Sequence, residues 1–296
     1  MSVEARRIAV GCVGLHVTLR GSGRPLLLLH GFTGGGDSLG HVVDRFAHTH
    51  RTIAPDLVGH GRSDAPDTPR LYSMEACTAQ LVAVLDALEI ERVDVFGYSM
   101  GGRAALALCA AHPERVRRAV VLGASAGLAT EAERAERVAS DSALADRIER
   151  DGVAAFARAW AENPLFASQQ GRLTPTQRAA AQRARETHTA TGLAHSLRGM
   201  GTGAQPPLHE TLPAISTPVL CLAGDEDAKF RAIAEALARA LPHGATAVIP
   251  DAGHAAHLEN PDATAELTLG FLEAPLAGVD REFASRIATP RFAEPS

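Results

Sequence analysis

The sequence predicts an α/β architecture, with a mostly parallel central sheet, helices on both faces and a helical cap inserted over one edge. Three observations carry this. Apolar runs at residues 25–29, 93–96, 116–123 and 217–224 read as strands covered on both faces, the pattern of a parallel sheet. Helical stretches alternate with these runs, which implies right-handed crossovers. From about residue 127 to 203 the texture becomes Ala, Arg, Glu and Gln at helical spacing, without a strand-like run. The length of 296 residues suits one large domain with that insertion. The expected division is a core at 1–126 and 204–273, a cap at 127–203 and a C-terminal tail at 274–296.

Taken in order, residues 8–13 and 16–19 alternate weakly around Gly14 and suggest a leading antiparallel hairpin. The run Pro25-Leu26-Leu27-Leu28-Leu29 is a central strand that ends in His30-Gly31-Phe32-Thr33-Gly34. A glycine-rich bend at the carboxyl end of a central strand is where an open α/β sheet presents backbone to ligands. A short strand at 51–55 leads into Gly59-His60-Gly61-Arg62-Ser63, and Ser73 reads as the N-cap of an amphipathic helix to about Leu88. The strand at 93–96 turns through Gly97-Tyr98-Ser99-Met100-Gly101 into an Ala/Leu-rich helix to about Ala111. Inside the cap, Asn163-Pro164 and Thr174-Pro175 break the helical pattern. Core texture returns with the strand ending at Gly224, followed by a helix at 229–241, a strand at 246–249 and a helix at 263–272. Residues 274–296, with Pro275, Pro290 and Pro295, lack a period and read as a loosely attached tail.

Composition narrows the function classes. The formal net charge of −5 carries no basic excess toward nucleic acid or an anionic membrane. No run reaches the roughly 18 apolar residues of a membrane span, and residues 1–7 lead into a strand without a secretory apolar region. Cys12, Cys77, Cys109 and Cys221 are scattered, without metal-ligand spacing, and read as reduced small hydrophobes. The expectation is a soluble cytoplasmic protein with no metal and no cofactor. Lys229 is the only lysine, so nearly all cationic charge is arginine. That reflects codon bias in part, yet Arg forks also match carboxylate geometry where Lys does not.

The chemistry is concentrated at Ser99. A serine flanked by glycines, on a sharp strand-to-helix turn, stands exposed at a helix N-terminus where developing negative charge is favoured. Its hydroxyl is inert at neutral pH unless an oriented base takes its proton. Asp225-Glu226-Asp227 follows one later strand and Asp251-Ala252-Gly253-His254 follows the next, both at the carboxyl edge that carries Ser99. Ser99, Asp227 and His254 are therefore the candidate triad. Asp227 is preferred because three residues past Gly224 give the loop room to reach back, and Asp225 is the alternative. The N–H groups of Met100 and Phe32 are the candidate oxyanion donors. His30 and His60 read as loop histidines held by hydrogen bonds, and His257 fits either the pocket mouth or the surface.

The chain order Ser, Asp, His, with His30-Gly31, Gly59-His60-Gly61-Arg62-Ser63, the elbow and Gly253-His254, resembles the α/β-hydrolase superfamily over residues 8–273. Finer features are similar to the 2-succinyl-6-hydroxy-2,4-cyclohexadiene-1-carboxylate synthase family of menaquinone biosynthesis. They are Gly97-Tyr98-Ser99-Met100-Gly101-Gly102-Arg103, Arg134-Ala135-Glu136-Arg137, Trp160 followed by Asn163-Pro164-Leu165-Phe166-Ala167-Ser168, and Asp227-Ala228-Lys229-Phe230. Several lie in the cap, which sets substrate, whereas the core motifs are shared by many activities.

This resemblance implies a lyase. Ser99, supported by His254 and Asp227, abstracts a proton from a succinyl-bearing cyclohexene carboxylate, and pyruvate leaves from its enolpyruvyl ether. The substrate is a small polyanion, so an acidic protein needs local cations around it. Arg103, one helical turn past Ser99, fits that need, and Arg137 and Arg185 match cap positions of the family. Tyr98 and Trp160 are implied as pocket walls, with core packing as their competing role. The extended Gly34-Gly35-Gly36 stretch and the tail depart from the family pattern. The alternative activity is a serine hydrolase of small esters or carbon–carbon bonds, and a third reading is a ligand sensor that keeps the triad.

Overall fold

The computed structural model describes residues 3–275. Its first two strands, β1 (Val3–Val10) and β2 (Val13–Arg20), form the antiparallel hairpin at one edge of the sheet. The chain then runs through β3 (Arg24–Leu29), α1 (Val42–Ala47), β4 (His50–Pro55), α2 (Met74–Ala87), β5 (Val93–Tyr98), α3 (Met100–Ala111) and β6 (Val116–Leu122). After the cap come β7 (Val219–Gly224), α9 (Ala228–Ala240), β8 (Gly244–Ile249), α10 (Ala256–Glu259) and α11 (Pro261–Glu273). The eight strands form one sheet in the order β1-β2-β4-β3-β5-β6-β7-β8. β2 pairs antiparallel with both neighbours, and every later pair is parallel.

The leucine run of β3 shows why the sheet reads as continuous hydrophobicity. Side chains alternate faces along a strand. Leu26 and Leu28 enter one apolar layer with Phe46 of α1, Phe96 and Phe271 of α11. Leu27 and Leu29 enter the opposite layer with Leu81 of α2, Leu106 of α3 and Leu237 of α9. All four leucines are fully buried, so neither face has room for a polar residue. β1, at the hairpin edge, is exposed along most of its length.

Local capping follows the chain chemistry. The Ser73 hydroxyl accepts the Ala76 N–H at the start of α2. Between β6 and β7 lie α4 (Glu131–Asp151), α5 (Val153–Ala161), α6 (Gln169–Arg172), α7 (Pro175–Glu186) and α8 (Ala190–Met200). Thr130 with Glu133, and Thr174 with Gln177, form capping boxes at α4 and α7, and Pro175 occupies the first turn of α7. Leu193 and Leu197 of α8 pack with Ala145 and Ile148 of α4 and Phe156 of α5 in a separate apolar cluster. No helix among the described residues is long and apolar enough to cross a membrane. The expected tail lies outside the described residues, apart from Ala274 and Pro275; the Ala274 carbonyl accepts from buried Arg118.

Topology places the site. From β3 the chain moves outward to β4, then returns to the other side of β3 as β5. The loops leaving β3 and β5 thus diverge at their carboxyl ends, opening a crevice at the reversal of strand order. Ser99 follows β5 and Phe32 follows β3, so they flank the same crevice.

Candidate active site

Ser99 is held at φ 51° and ψ −110°, a left-handed conformation that costs a non-glycine residue on the order of 1–3 kcal/mol. Its neighbours explain how the turn survives. A Cβ on Gly97 would overlap the Gly101 carbonyl, and one on Gly101 would overlap the Leu29 carbonyl, so only glycine lets α3 approach β3 and β5 this closely. The Ser99 N–H donates to Leu122 O at 2.8 Å, tying the elbow to β6.

The base arrives from β8. Asp225 accepts the Asp251 N–H at 3.0 Å on one carboxylate oxygen and the Ala252 N–H at 2.9 Å on the other. That clamp fixes the turn, with Asp251 at φ 53°, that delivers His254. His254 Nδ1 lies 2.9 Å from Asp227 Oδ2, and its Nε2 lies 3.2 Å from Ser99 Oγ. Asp227 Oδ1 also accepts the Phe230 N–H at 3.2 Å, capping α9 and fixing the carboxylate plane. The proton between Asp227 and His254 therefore belongs on Nδ1, leaving Nε2 free to accept from serine. The two acids bond differently: Asp227 holds the His254 ring, and Asp225 holds the turn beneath it. Phe230, 4.6 Å between ring centroids from His254, walls the imidazole from water.

The β3 loop lies against the elbow. A Cβ placed on Gly31 would stand 2.8 Å from the Tyr98 ring and 3.5 Å from Ser99 Cβ, so Phe32 enters close to the serine. Met100 opens α3, where the first N–H groups lack intrahelical acceptors. His30 Nε2 accepts the Leu57 N–H at 3.0 Å, and its Nδ1 donates to the Gly31 carbonyl at 2.8 Å. His60 Nδ1 donates to the Val58 carbonyl at 3.1 Å. Both are buried loop histidines, and burial lowers the pKa of each.

A cavity of about 290 Å³ opens beside this arrangement, lined by Gly31, Phe32, Tyr98, Phe166, Arg185 and His257 among others. Of the two roles open to His257, pocket or surface, the structure gives the pocket one. The residue is 2 % exposed, its ring centroid is 4.1 Å from that of Tyr98, and burial with the charge of His254 pushes its pKa down to about 3. The Tyr98 phenol is pushed above its ordinary value by burial first and by Glu259 next. Arg185, half-buried on α7, places its guanidinium carbon 5.7 Å above the Phe166 ring. Among the described residues no carboxylate pairs with it, and burial lowers its pKa. Trp160 stands edge-on to Phe32 at 5.5 Å and contacts Phe166 at 6.1 Å, with a buried Nε1 that has no partner among the described residues.

Arg103 and Arg137 are placed elsewhere, outside the lining of this cavity. Arg103 is buried with Nη1 donating to Gln205 Oε1 at 2.7 Å, and burial followed by the charge of Arg137 lowers its pKa to about 10. Arg137 Nε donates to Asp141 Oδ1 at 2.8 Å. Sequence reasoning missed Gln205, which the fold brings in from a loop, and it quoted Phe166 and Phe230 within family-like strings without giving either a role. Asp141 also had a local signal, four residues beyond Arg137 on one helix face.

A strained serine at the end of a central parallel strand, hydrogen-bonded to a histidine and through it to an aspartate, defines the α/β-hydrolase class. A family model described as the alpha/beta hydrolase fold matches residues 24–261. A Serratia proteamaculans (strain 568) protein named 2-succinyl-6-hydroxy-2,4-cyclohexadiene-1-carboxylate synthase is 33% identical over 85% of this chain and 94% of its own. A Bacillus subtilis (strain 168) protein given the same name provisionally is 40% identical over 83% of this chain and 89% of its own. Among solved structures, "Structure of MenH from S. aureus" superposes with a TM-score of 0.80 at 29% identity, covering 92% of this chain and 97% of that one. A thermophilic esterase from Thermogutta terrifontis superposes with a TM-score of 0.81 at 26% identity, covering 91% and 98%. The chain belongs to the 2-succinyl-6-hydroxy-2,4-cyclohexadiene-1-carboxylate synthase family of α/β hydrolases.

Proposed function

We propose that this protein is a cytoplasmic carbon–oxygen lyase that eliminates pyruvate from 2-succinyl-5-enolpyruvyl-6-hydroxy-3-cyclohexene-1-carboxylate. The product is 2-succinyl-6-hydroxy-2,4-cyclohexadiene-1-carboxylate, an intermediate of menaquinone biosynthesis. The observation that carries this reading is Arg185, a half-buried cation without a carboxylate partner among the described residues, on the wall of a cavity beside Ser99. An unpaired guanidinium costs free energy there unless an anion completes it, and the substrate is a polyanion. A pocket for small neutral esters has no use for that charge.

The steps follow from the hydrogen bonds. His254 Nε2 takes the Ser99 proton as Ser99 Oγ takes a proton from the substrate carbon beside the succinyl carbonyl. The electron pair moves onto the carbonyl oxygen, which the Phe32 and Met100 N–H groups receive at the positive end of α3. The pair then returns to form a new ring double bond at the succinyl-bearing carbon, the pair of the ring alkene shifts one bond along, and the ring carbon–oxygen bond to the enolpyruvyl group breaks. The departing enolate takes the imidazolium proton on its methylene carbon and becomes pyruvate. Asp227 keeps the imidazole oriented and its cation stabilised throughout. Arg185 holds a substrate carboxylate between Phe166 and Tyr98, and Trp160 backs Phe32. Arg103 and Arg137, held by Gln205 and Asp141 outside the cavity, would reach a substrate carboxylate only by giving up those partners.

The second reading is hydrolysis, with Ser99 as a covalent nucleophile, because the same Ser99–His254 spacing serves acyl transfer. A pyruvate-coupled assay on the enolpyruvyl substrate separates the two. Pyruvate released in step with the cyclohexadiene product is the expected result. Turnover of simple esters with no pyruvate above background overturns the lyase reading.

A further inference from the structure

His188 belongs to the cap in sequence, in the turn between α7 and α8, but its ring is sunk against the β3 loop. Its Nε2 lies 3.1 Å from the Gly34 carbonyl oxygen, and the residue is 8 % exposed. The ring meets the edge of His60 at 5.4 Å, and His60 in turn packs on Phe32 at 5.9 Å and on His30 at 5.1 Å. Gly34 closes the turn that carries Phe32, since its own N–H donates to the Gly31 carbonyl at 3.0 Å. Inside that turn Thr33 is held at φ 66°, an uncommon conformation for a residue with a branched side chain. The turn is thus under conformational load, and a cap residue grips it from outside.

A carbonyl only accepts, so a proton sits on His188 Nε2, and burial, which pushes the pKa of the ring down to about 4, leaves it neutral at pH 7. Its buried Nδ1 has no partner among the described residues, so the ring is anchored through its contact with the Gly34 carbonyl, with the Thr33 backbone as a further partner on the same turn. Rotation of the Gly34 peptide would swing the Gly31–Gly34 turn and with it the Phe32 N–H, the candidate oxyanion donor. A displacement of about 1 Å in such a group costs on the order of 100-fold in rate.

We propose that His188 is a positioning residue, which through its hydrogen bond to the Gly34 carbonyl fixes the turn that aims the Phe32 N–H and so completes the oxyanion site only when the cap is seated. The inference rests on the reading of Phe32 as an oxyanion donor to Ser99, and it holds for elimination and for hydrolysis alike. His188→Ala removes the anchor, His188→Leu replaces it with an apolar side chain of similar bulk, and His188→Gln keeps an N–H donor at a comparable reach. Each full-length variant is assayed for pyruvate release and for hydrolysis of a small ester, with kcat, KM and Tm measured separately. The expected result is kcat lowered about 10- to 100-fold in the Ala and Leu variants, KM within about twofold of wild type, and most of kcat restored in the Gln variant. Wild-type kcat in the Leu variant, or a Gln variant no better than Leu, overturns the proposal. If wild type releases no pyruvate but cleaves the ester, the lyase reading falls and this series is judged on ester turnover, so the two failures are told apart.

Discussion

Asp225 and Asp227 stand two residues apart on one loop and have the same chemistry, yet their hydrogen bonds assign them different work. Asp227 spends one oxygen on His254 and the other on the first turn of α9. Asp225 spends both on backbone N–H groups of the turn that carries His254. Asp227→Asn should therefore lower kcat by about three to four orders of magnitude at nearly unchanged Tm, because the amide no longer fixes the required tautomer. Asp225→Asn should instead cost about 1–3 kcal/mol of stability, since it leaves one N–H facing a donor, with a smaller loss of kcat. Thermal melts beside steady-state kinetics check both, and a reversed pattern would exchange their roles. Loop length favours Asp227 in the sequence, but the bonds that separate the two acids, Asp227 to His254 and Asp225 to the Asp251 and Ala252 N–H groups, join loops of different strands and are invisible there. Arg103 marks the same limit. Its spacing from Ser99 is legible, whereas Gln205, a hundred residues later, captures its guanidinium in a contact that only folding creates.

Within the cap, α7 and α8 are held very differently. α8 buries Leu193, Ala194, Leu197 and Met200, and it lies directly on the core through two glycines. A Cβ on Gly192 would collide with the Gly59 backbone, and one on Gly199 would collide with the Tyr72 carbonyl. α7 has no buried residue and runs between the 290 Å³ cavity and a second one of about 590 Å³, with Ala181 and Arg185 facing both. An alanine-rich helix with space on both sides has few apolar contacts to resist opening. Amide hydrogen exchange should therefore be faster in α7 than in α8, and equal protection in the two helices would contradict this account. Gly192→Ala should push α8 off Gly59 and lower stability by about 1–3 kcal/mol, read as a shifted denaturation midpoint. The capping residues Thr130 and Thr174 and the breaks at Pro164 and Pro175 make the long cap helices legible in the sequence. α1 and α10, at 6 and 4 residues, are too short to show a helical period and come into view only in the fold.

At the scale of the whole molecule, the sheet was legible because parallel strands covered on both faces must be apolar throughout, and glycines mark where they end. The carboxyl edge of that sheet holds a feature that composition conceals: His30, His60, His188 and His257 are all buried around one site, each with its pKa lowered first by burial. His188 is pushed down to about 4 and His257 to about 3, while the carboxylate of Asp56 opposes the shift at His30 and His188. The unfolded chain binds protons at these histidines near pH 6.5, before the folded state does, so acid favours unfolding. Above about pH 6.5 both states are neutral there and the group contributes no slope. As pH falls from 6.5 toward 4 the folded state loses stability, and the loss is complete only below the folded pKa values. Buried Asp94 and Asp141, raised by burial, act in the opposite direction above the ordinary carboxylate range, so they soften the decline without reversing its sign over four histidines. Tm should be nearly constant from pH 8 to 7 and fall by several degrees between pH 6.5 and 5, at roughly 2–4 °C per kcal/mol lost. A Tm that stays level to pH 4 would mean that these rings are solvated or paired in the folded protein, and the buried histidine edge would have to be abandoned.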